Sequence, residues 1–345
     1  MKIFFTAEYS PEELEPLYEL GEVVLDGWAT GLPKMPEEEL MEKTRDADIL
    51  IVSYDDVTRK VIENASKLKL IACTRATPVN VDMEAAKERG IPVIYTPGRN
   101  SDTTAEFTIG LMLAIARNIP MAHKALKEGK YTNLNDQKKE TKAGLTVDMI
   151  WDMETTAPYM VFKGTQLKGK TLGIVGYGSI GKRVGKIARA FGMALLIYDP
   201  FQCQIDIEEI GITKAESLES LMSNADFVTC HMKITSETKG IINKEMISLM
   251  KPTAYFINCS RGAVLDESAL IEALREKRIA GAAIDVYERE PLAINHPYVA
   301  ELDNVVITPH IGGATNEVLV NHTIQLVSDV KRFLNGERLL YEYRS

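Results

Sequence analysis

Short apolar runs alternate along this chain with longer stretches whose apolar residues recur at helical spacing, the pattern of repeated strand-then-helix units. Lys2 to Thr6 reads as a first strand, and Ser10-Pro11-Glu12-Glu13 as a capping box with Pro at the first helical position. The runs Asp48–Val52, Leu68–Ala72 and Pro92–Tyr95 carry apolar side chains on both faces, as strands buried in a parallel sheet do. Between the last two, a helix begins at Val81 or Asp82 and is closed by Gly90. A long helix follows from about Thr103 to Asn118. Its sequence TTAEFTIGLMLAIARN is apolar on most faces, so it belongs between layers or between domains. Residues 130–165, with Trp151, Tyr159 and several Met, then break the alternation. A segment of that length is either a surface excursion or dimer arm, or a lid over substrate.

At Lys170 the alternation resumes. The strand Thr171–Val175 runs into Gly176-Tyr177-Gly178-Ser179-Ile180-Gly181, which opens a helix reaching about Phe191, and a second strand, Ala194–Tyr198, ends at Asp199. GxGxxG alone is a weak signal. Placed after a strand, opening a helix and followed 18 residues later by an acidic residue at a strand end, it predicts a dinucleotide site. Gly176 allows the tight turn, Gly178 lets the backbone approach a diphosphate, and Gly181 lets helix and strand pack closely. The helix start, with Ser179 and Ile180, offers unpaired N–H groups and the positive end of the helix dipole. Asp199 can accept both hydroxyls of an adenosine ribose and repels a 2′-phosphate. The following Pro200 and Phe201 supply no cation, so the expected cofactor is NAD rather than NADP. Further strands are expected at Phe227–His231, Ala254–Cys259, Gly281–Val286 and Val305–Thr308, and a final helical stretch from about Gly312 to Leu334. The expected fold class is therefore α/β, with two Rossmann-like doubly wound parallel-sheet domains. The dinucleotide domain, 104–313, is inserted into a first domain made of 1–103 and 314–345.

Composition narrows the class. At 345 residues the chain exceeds one ordinary core, and 45% hydrophobic with 26% charged residues is the balance of a soluble protein. No apolar run approaches the roughly 20 residues of a membrane span, and the N-terminus lacks a secretory cleavage pattern. A net charge of −9 without a long basic cluster argues against nucleic acid or an acidic membrane as partner. The four cysteines, Cys73, Cys203, Cys230 and Cys259, are widely spaced. They predict reduced thiols in a cytoplasmic protein and no metal site.

The ordered motifs TLGIVGYGSIG, INCSRGAVLDESAL, AAIDVYEREPL and ITPHIGGAT, with VNVDMEAAKERGIPVIYTPGRN before them, resemble the D-isomer-specific 2-hydroxyacid dehydrogenase family over nearly the whole chain. The resemblance implies two domains with an active-site cleft between them, a homodimer, and a small-molecule 2-hydroxy or 2-keto acid as substrate. It implies Arg261 in SRGAV, Glu290 in EREPL and His310 in TPHIG as catalytic residues. The chemistry agrees. Oxidising a secondary alcohol needs a base for the hydroxyl proton, and His titrates near neutrality. A carboxylate such as Glu290 orients that base and favours its protonated form. Arg261 offers the planar fork that a substrate carboxylate binds. All three follow strand ends, where open α/β sheets place their ligands.

Other implied positions are Asp285, near the nicotinamide or otherwise a strand-end cap, and the substrate loop Arg75-Ala76-Thr77-Pro78. That loop is glycine-rich in the common family pattern, so Ala76 and Thr77 imply a narrower pocket. Asn100 and Glu106 match positions that support the cleft, and Lys233 stands where many members have proline. Arg75, Arg99 and Lys233 hint at a substrate with further polar or anionic groups. The sequence runs only a little past its closing helix, so feedback control through the regulatory domain of longer phosphoglycerate dehydrogenases is not expected. Three alternatives share this sequence pattern. Formate dehydrogenase, a relative, has glutamine at the position of Glu290. An NAD-sensing transcriptional corepressor of the same fold retains the triad but binds peptide, and a catalytically idle dimer would not need the triad.

Overall fold

The structure, a computed structural model, describes residues 1–132 and 156–344. The expected excursion at 130–165, including Trp151, lies largely outside the described residues. The chain forms two compact units, Met1–Asn100 with Ala314–Ser345, and Ser101–Gly313.

Unit 1 is a five-stranded parallel sheet in the order β2-β1-β3-β4-β5, from β1 (Lys2–Phe5), β2 (Glu22–Leu25), β3 (Ile49–Val52), β4 (Leu70–Cys73) and β5 (Val93–Tyr95). Successive side chains of a strand point to opposite faces, so each buried strand feeds two cores. Ile3, Phe5, Ile49, Ile51, Leu70 and Ala72 face one side, where Leu326, Val327 and Val330 of the helix Asn316–Leu334 cover them. Phe4, Leu50, Val52, Ile71 and Cys73 face the other, under Val61, Ile62, Ala85 and Ala86. After its helix the chain returns along β5: the Tyr95 N–H donates to the Tyr341 carbonyl at 3.0 Å and the Tyr343 N–H to that of Val93 at 2.8 Å. Buried Asp329 holds this return, accepting from the N–H groups of Leu340 at 3.0 Å and Tyr341 at 2.6 Å.

The helix Met83–Glu88 has Asp82 as its cap, which accepts from the Ala85 N–H at 2.9 Å, and Gly90 beyond its end takes a φ of +65°. The capping box expected at Ser10 does not form. The helix Pro11–Tyr18 starts there, but the Ser10 side chain makes no cap bond and its N–H goes to the Thr323 hydroxyl at 3.1 Å. A long-range partner has taken the amide that Glu13 would have bound.

Unit 2 is a seven-stranded parallel sheet in the order β12-β11-β10-β9-β6-β7-β8. Its strands are β6 (Thr171–Val175), β7 (Ala194–Tyr198), β8 (Thr213–Lys214), β9 (Phe227–Cys230), β10 (Tyr255–Asn258), β11 (Gly281–Ile284) and β12 (Val305–Ile307). The apolar helix Ser101–Ala116 packs inside this unit, burying Ala105, Ile109, Met112 and Ile115 against Leu172, Ile174, Phe227 and Ile257. Strand order reverses between β6 and β9, the position where doubly wound sheets open a ligand crevice. The four cysteines are free, and only Cys203 is exposed. Among the described residues no helix is long and apolar enough to cross a membrane, and no three His, Cys, Asp or Glu side chains gather as a metal site would require.

Candidate active site and dinucleotide loop

The glycine loop leaves β6 at the strand-order reversal. Gly176 has a φ of +90°, and a Cβ there would lie 2.8 Å from the His231 carbonyl oxygen at the end of β9. A Cβ on Gly181 would lie 2.3 Å from the Gly176 carbonyl, so any side chain would push the helix Ser179–Ala190 off the loop. At Gly178, by contrast, nothing lies within 4 Å of a would-be Cβ. The open face is therefore the one where a diphosphate would approach the helix N-terminus, and the residues present fit a dinucleotide. Asp199, 8% exposed at the end of β7, accepts from the Tyr177 N–H at 2.7 Å and from the Phe201 N–H at 2.9 Å. Each carboxylate oxygen keeps a lone pair for a ribose hydroxyl, and the Tyr177 bond ties the acidic residue to the glycine loop. Arg183 folds back along its helix to the Ser179 carbonyl at 3.0 Å and hydroxyl at 2.8 Å.

In the other half of the same parallel sheet, the segments after β10, β11 and β12 carry Arg261, Glu290 and His310. Beyond β10, the buried Asn258 side chain knots the turn. Its Oδ1 accepts from the Ser260 N–H at 3.0 Å and hydroxyl at 2.8 Å, while its Nδ2 donates to the Arg261 carbonyl at 3.0 Å. Gly262 presses against the loop after β11 so closely that a Cβ would stand 1.9 Å from the Tyr287 carbonyl oxygen. Arg261 is exposed, with Nη1 donating to the Ser260 carbonyl at 2.6 Å.

His310 follows β12 with a φ of +56°, a left-handed conformation that costs a non-glycine residue on the order of 1–3 kcal/mol. Asp285, fully buried at the end of β11, holds it there. One oxygen accepts from the Thr308 hydroxyl at 2.6 Å and the Ile311 N–H at 2.9 Å, the other from the Gly312 N–H at 2.8 Å. Tyr287 ties the same two loops by donating its hydroxyl to the Thr308 carbonyl at 2.7 Å. Asp285 thus serves as the anchor of the His310 turn.

The result is a close pair. Glu290 Oε2 lies 2.7 Å from His310 Nδ1, and its Oε1 accepts from the Tyr287 N–H at 3.1 Å. A carboxylate can only accept, so Nδ1 carries the proton and Nε2 is left for a substrate. Burial works against the charge on Glu290, but the His310 hydrogen bond, the Tyr287 N–H and the positive charges of His310 and Arg261 hold its pKa below the ordinary carboxylate value. An open cavity of about 590 Å³ lies beside the pair, walled by Pro291, Leu292, Val299 and Ile307. Such apolar walls lower the local dielectric and strengthen the charge–charge interactions within reach.

Of the remaining sequence-derived positions, Arg75, Ala76 and Thr77 lie in unit 1 just beyond β4, with the Arg75 carbonyl accepting from the Thr96 N–H at 3.1 Å. Lys233 is exposed beyond β9, and its carbonyl accepts from the Thr238 hydroxyl at 2.6 Å. Sequence reasoning missed Asn258 and Tyr287 as organisers of the site. Both stand inside motifs that carry the triad, but their role is visible only in the bonds they make.

The family model described as D-isomer specific 2-hydroxyacid dehydrogenase, NAD binding domain, matches residues 109–312. The chain is 42% identical to D-3-phosphoglycerate dehydrogenase of Methanocaldococcus jannaschii over 98% of its own length, spanning 58% of that protein. It is 37% identical to glyoxylate reductase of Thermococcus litoralis, covering 97% of this chain and 94% of that one. Among solved structures, a protein from Thermus thermophilus superposes over all of both chains with a TM-score of 0.81 and 33% identity.

Proposed function

Because the chain belongs to the D-isomer specific 2-hydroxyacid dehydrogenase family, we propose that it interconverts a D-2-hydroxy acid and the corresponding 2-keto acid with NAD(H). The observation that carries this reading is the Glu290–His310 pair at 2.7 Å, within reach of the Arg261 charge and on the same sheet as the dinucleotide loop. The bound nicotinamide supplies hydride in one direction and accepts it in the other.

The protein's own residues do the rest. Arg261 swings from the Ser260 carbonyl to bind the substrate carboxylate through its planar fork, which orients C2. In reduction, protonated His310 gives its Nε2 proton to the oxygen forming at C2. In oxidation, neutral His310 takes the hydroxyl proton at the same nitrogen. Glu290, kept ionised, fixes the tautomer and stabilises the imidazolium. Asp199 supports the choice of NAD, since its carboxylate faces the ribose position that a 2′-phosphate would occupy.

The test is a panel of 2-keto acids offered with NADH and NADPH, and of D- and L-2-hydroxy acids offered with the oxidised cofactors, following reduced-cofactor absorbance. Turnover of at least one keto acid with NADH preferred is expected. No turnover of any keto or hydroxy acid, with NADH still bound, overturns the reading.

A further inference from the structure

The loop that carries Glu290 has little packing to hold its shape. From Glu288 to Asn295 every residue but Leu292 is exposed, and exposed segments with few apolar contacts open easily. Yet the Glu290 carboxylate must stay within hydrogen-bond distance of His310 Nδ1 for the pair to exist. Its place is set partly by its own backbone, since Oε1 accepts from the Tyr287 N–H. Whatever fixes the peptides at 287 and 288 therefore fixes Glu290.

One carboxylate does so from outside the loop. Glu267 is the first residue of the helix Glu267–Arg275, which has its cap already: Asp266 accepts from the Ala269 N–H at 3.0 Å. A Glu at such a position ordinarily reaches into water. Here the side chain turns inward, 12% exposed, and among the described residues it meets no Lys or Arg. Its Oε2 accepts from the Glu288 N–H at 3.3 Å and its Oε1 from Nε2 of His296 at 3.1 Å. Nδ1 of His296 in turn accepts from the Tyr298 N–H at 3.3 Å, so Nε2 carries the proton and the ring is neutral. Glu288 opens the exposed segment and His296 closes it, and both ends are tied to one side chain. Gly262 backs the same peptide, for a Cβ there would lie 2.6 Å from the Glu288 nitrogen. Buried Tyr298 lies close as well: burial first and the Glu267 charge second push its phenol up.

We propose that Glu267 and His296 act as a positioning pair, clipping together the two ends of the Glu290 loop and so holding the Glu290 carboxylate against His310. The clip is a property of unit 2 alone, and only its value to catalysis rests on the dehydrogenase reading above.

The experiment follows the ring-proton NMR titration of His310 in the full chain with NADH bound. Its signal among the five histidines is identified by its absence in His310→Gln. Glu290 faces that ring directly, Asp285 lies beneath its turn and Arg261 acts on Glu290; the single variants leave all three in place. In Glu267→Ala and in His296→Asn, the His310 pKa is expected to fall by about half a pH unit or more, part of the roughly 1–3 that a neighbouring carboxylate supplies. Asn caps the Tyr298 N–H as the native ring does but is too short to reach Glu267, and the exchange removes no charge. Both shifts should vanish in a Glu290→Gln background, where no carboxylate is left to position. A direct effect of the Glu267 charge on His310 would survive there. A His310 pKa unmoved in either single variant, or a shift that persists beside Glu290→Gln, overturns the proposal. Should Glu267→Ala not fold, His296→Asn decides alone. Where a 2-keto acid is reduced, the alkaline limb of kcat/KM moves to lower pH by the same interval while NADH affinity holds, a pattern that lost stability alone does not produce. If no keto acid is reduced but the His310 titration still moves, the dehydrogenase reading fails and the positioning pair stands.

Discussion

His322 makes the stability of unit 1 depend on pH in a way that can be worked out from its bonds. The ring is 2% exposed and its pKa is pushed down to about 4, by burial first and then by the Arg99 charge. The Glu8 hydrogen bond opposes the shift but does not cancel it. Protonation would turn Nδ1 into a donor facing the Arg99 guanidinium, which has only donors to offer. Above pH 6.5 neither the folded nor the unfolded chain holds this proton, so stability is unaffected. Between 6.5 and about 4 the unfolded chain takes it up and the folded chain does not, so stability falls as the pH drops. Below about 4 both hold it, and the loss levels off. The slope is about 1.4 kcal/mol per pH unit, and the full effect is on the order of 3 kcal/mol. In unit 2, His231, pushed down to about 3 by burial, adds its own loss over the same range. The informative quantity is therefore the difference between wild type and His322→Gln, which stays neutral and keeps an oxygen for Arg99 and an N–H for Glu8. Urea unfolding at several pH values between 4.5 and 7.5, in a Trp151→Phe background where Trp28 reports unit 1, should give a pH dependence shallower by about one proton in the variant. Parallel curves for the two proteins would refute the argument.

Three further outcomes are expected. Glu290→Gln removes the charge that supports the imidazolium, so keto-acid reduction should fall off at lower pH than in the wild type. The loss at alkaline pH should reach up to roughly a hundredfold, and overlaying pH–rate profiles would dissociate Glu290 from the proton transfer. Asp199→Ser removes the group that repels a 2′-phosphate, and the NADH-over-NADPH ratio of kcat/KM should drop about tenfold or more. An unchanged ratio would place cofactor selection elsewhere. Gly262→Ala forces a methyl into the Tyr287 backbone, which should destabilise unit 2 by about 1–3 kcal/mol or more in urea unfolding and reduce kcat/KM. Wild-type stability in that variant would mean the two loops part easily.

Strands and turns were legible in the sequence where their signals are local. The apolar runs of β3, β4 and β6 and the glycines after β6 occupy a few consecutive residues, and packing leaves those residues few options. The failed capping box at Ser10 marks the limit of such reading. Its amide is claimed by Thr323, 313 positions away, and no local pattern records that partner. The same holds for Arg99 and His322, which meet across 223 positions. Within the candidate site, the family resemblance implied Arg261, Glu290 and His310 and their residue chemistry agreed, but the left-handed turn at His310 and the work of Asp285 beneath it depend on three bonds from a loop that follows another strand.

The helix Asn316–Leu334 and the strand-like return at 341–343 are the last parts of unit 1 to be synthesised, and they cover a sheet whose strands come from the first hundred residues. During synthesis, Ile3, Phe5, Ile49, Ile51 and Leu70 must wait uncovered while the whole of unit 2, one continuous segment, emerges and can fold. The second unit along the chain is thus free to fold first, against the usual order of synthesis, and the first remains a sheet with one bare face and an open edge at β5. Such a face is a target for chaperones and for other copies of the chain. A ribosome stalled before residue 316 should hold a nascent chain whose unit 2 resists protease while unit 1 does not.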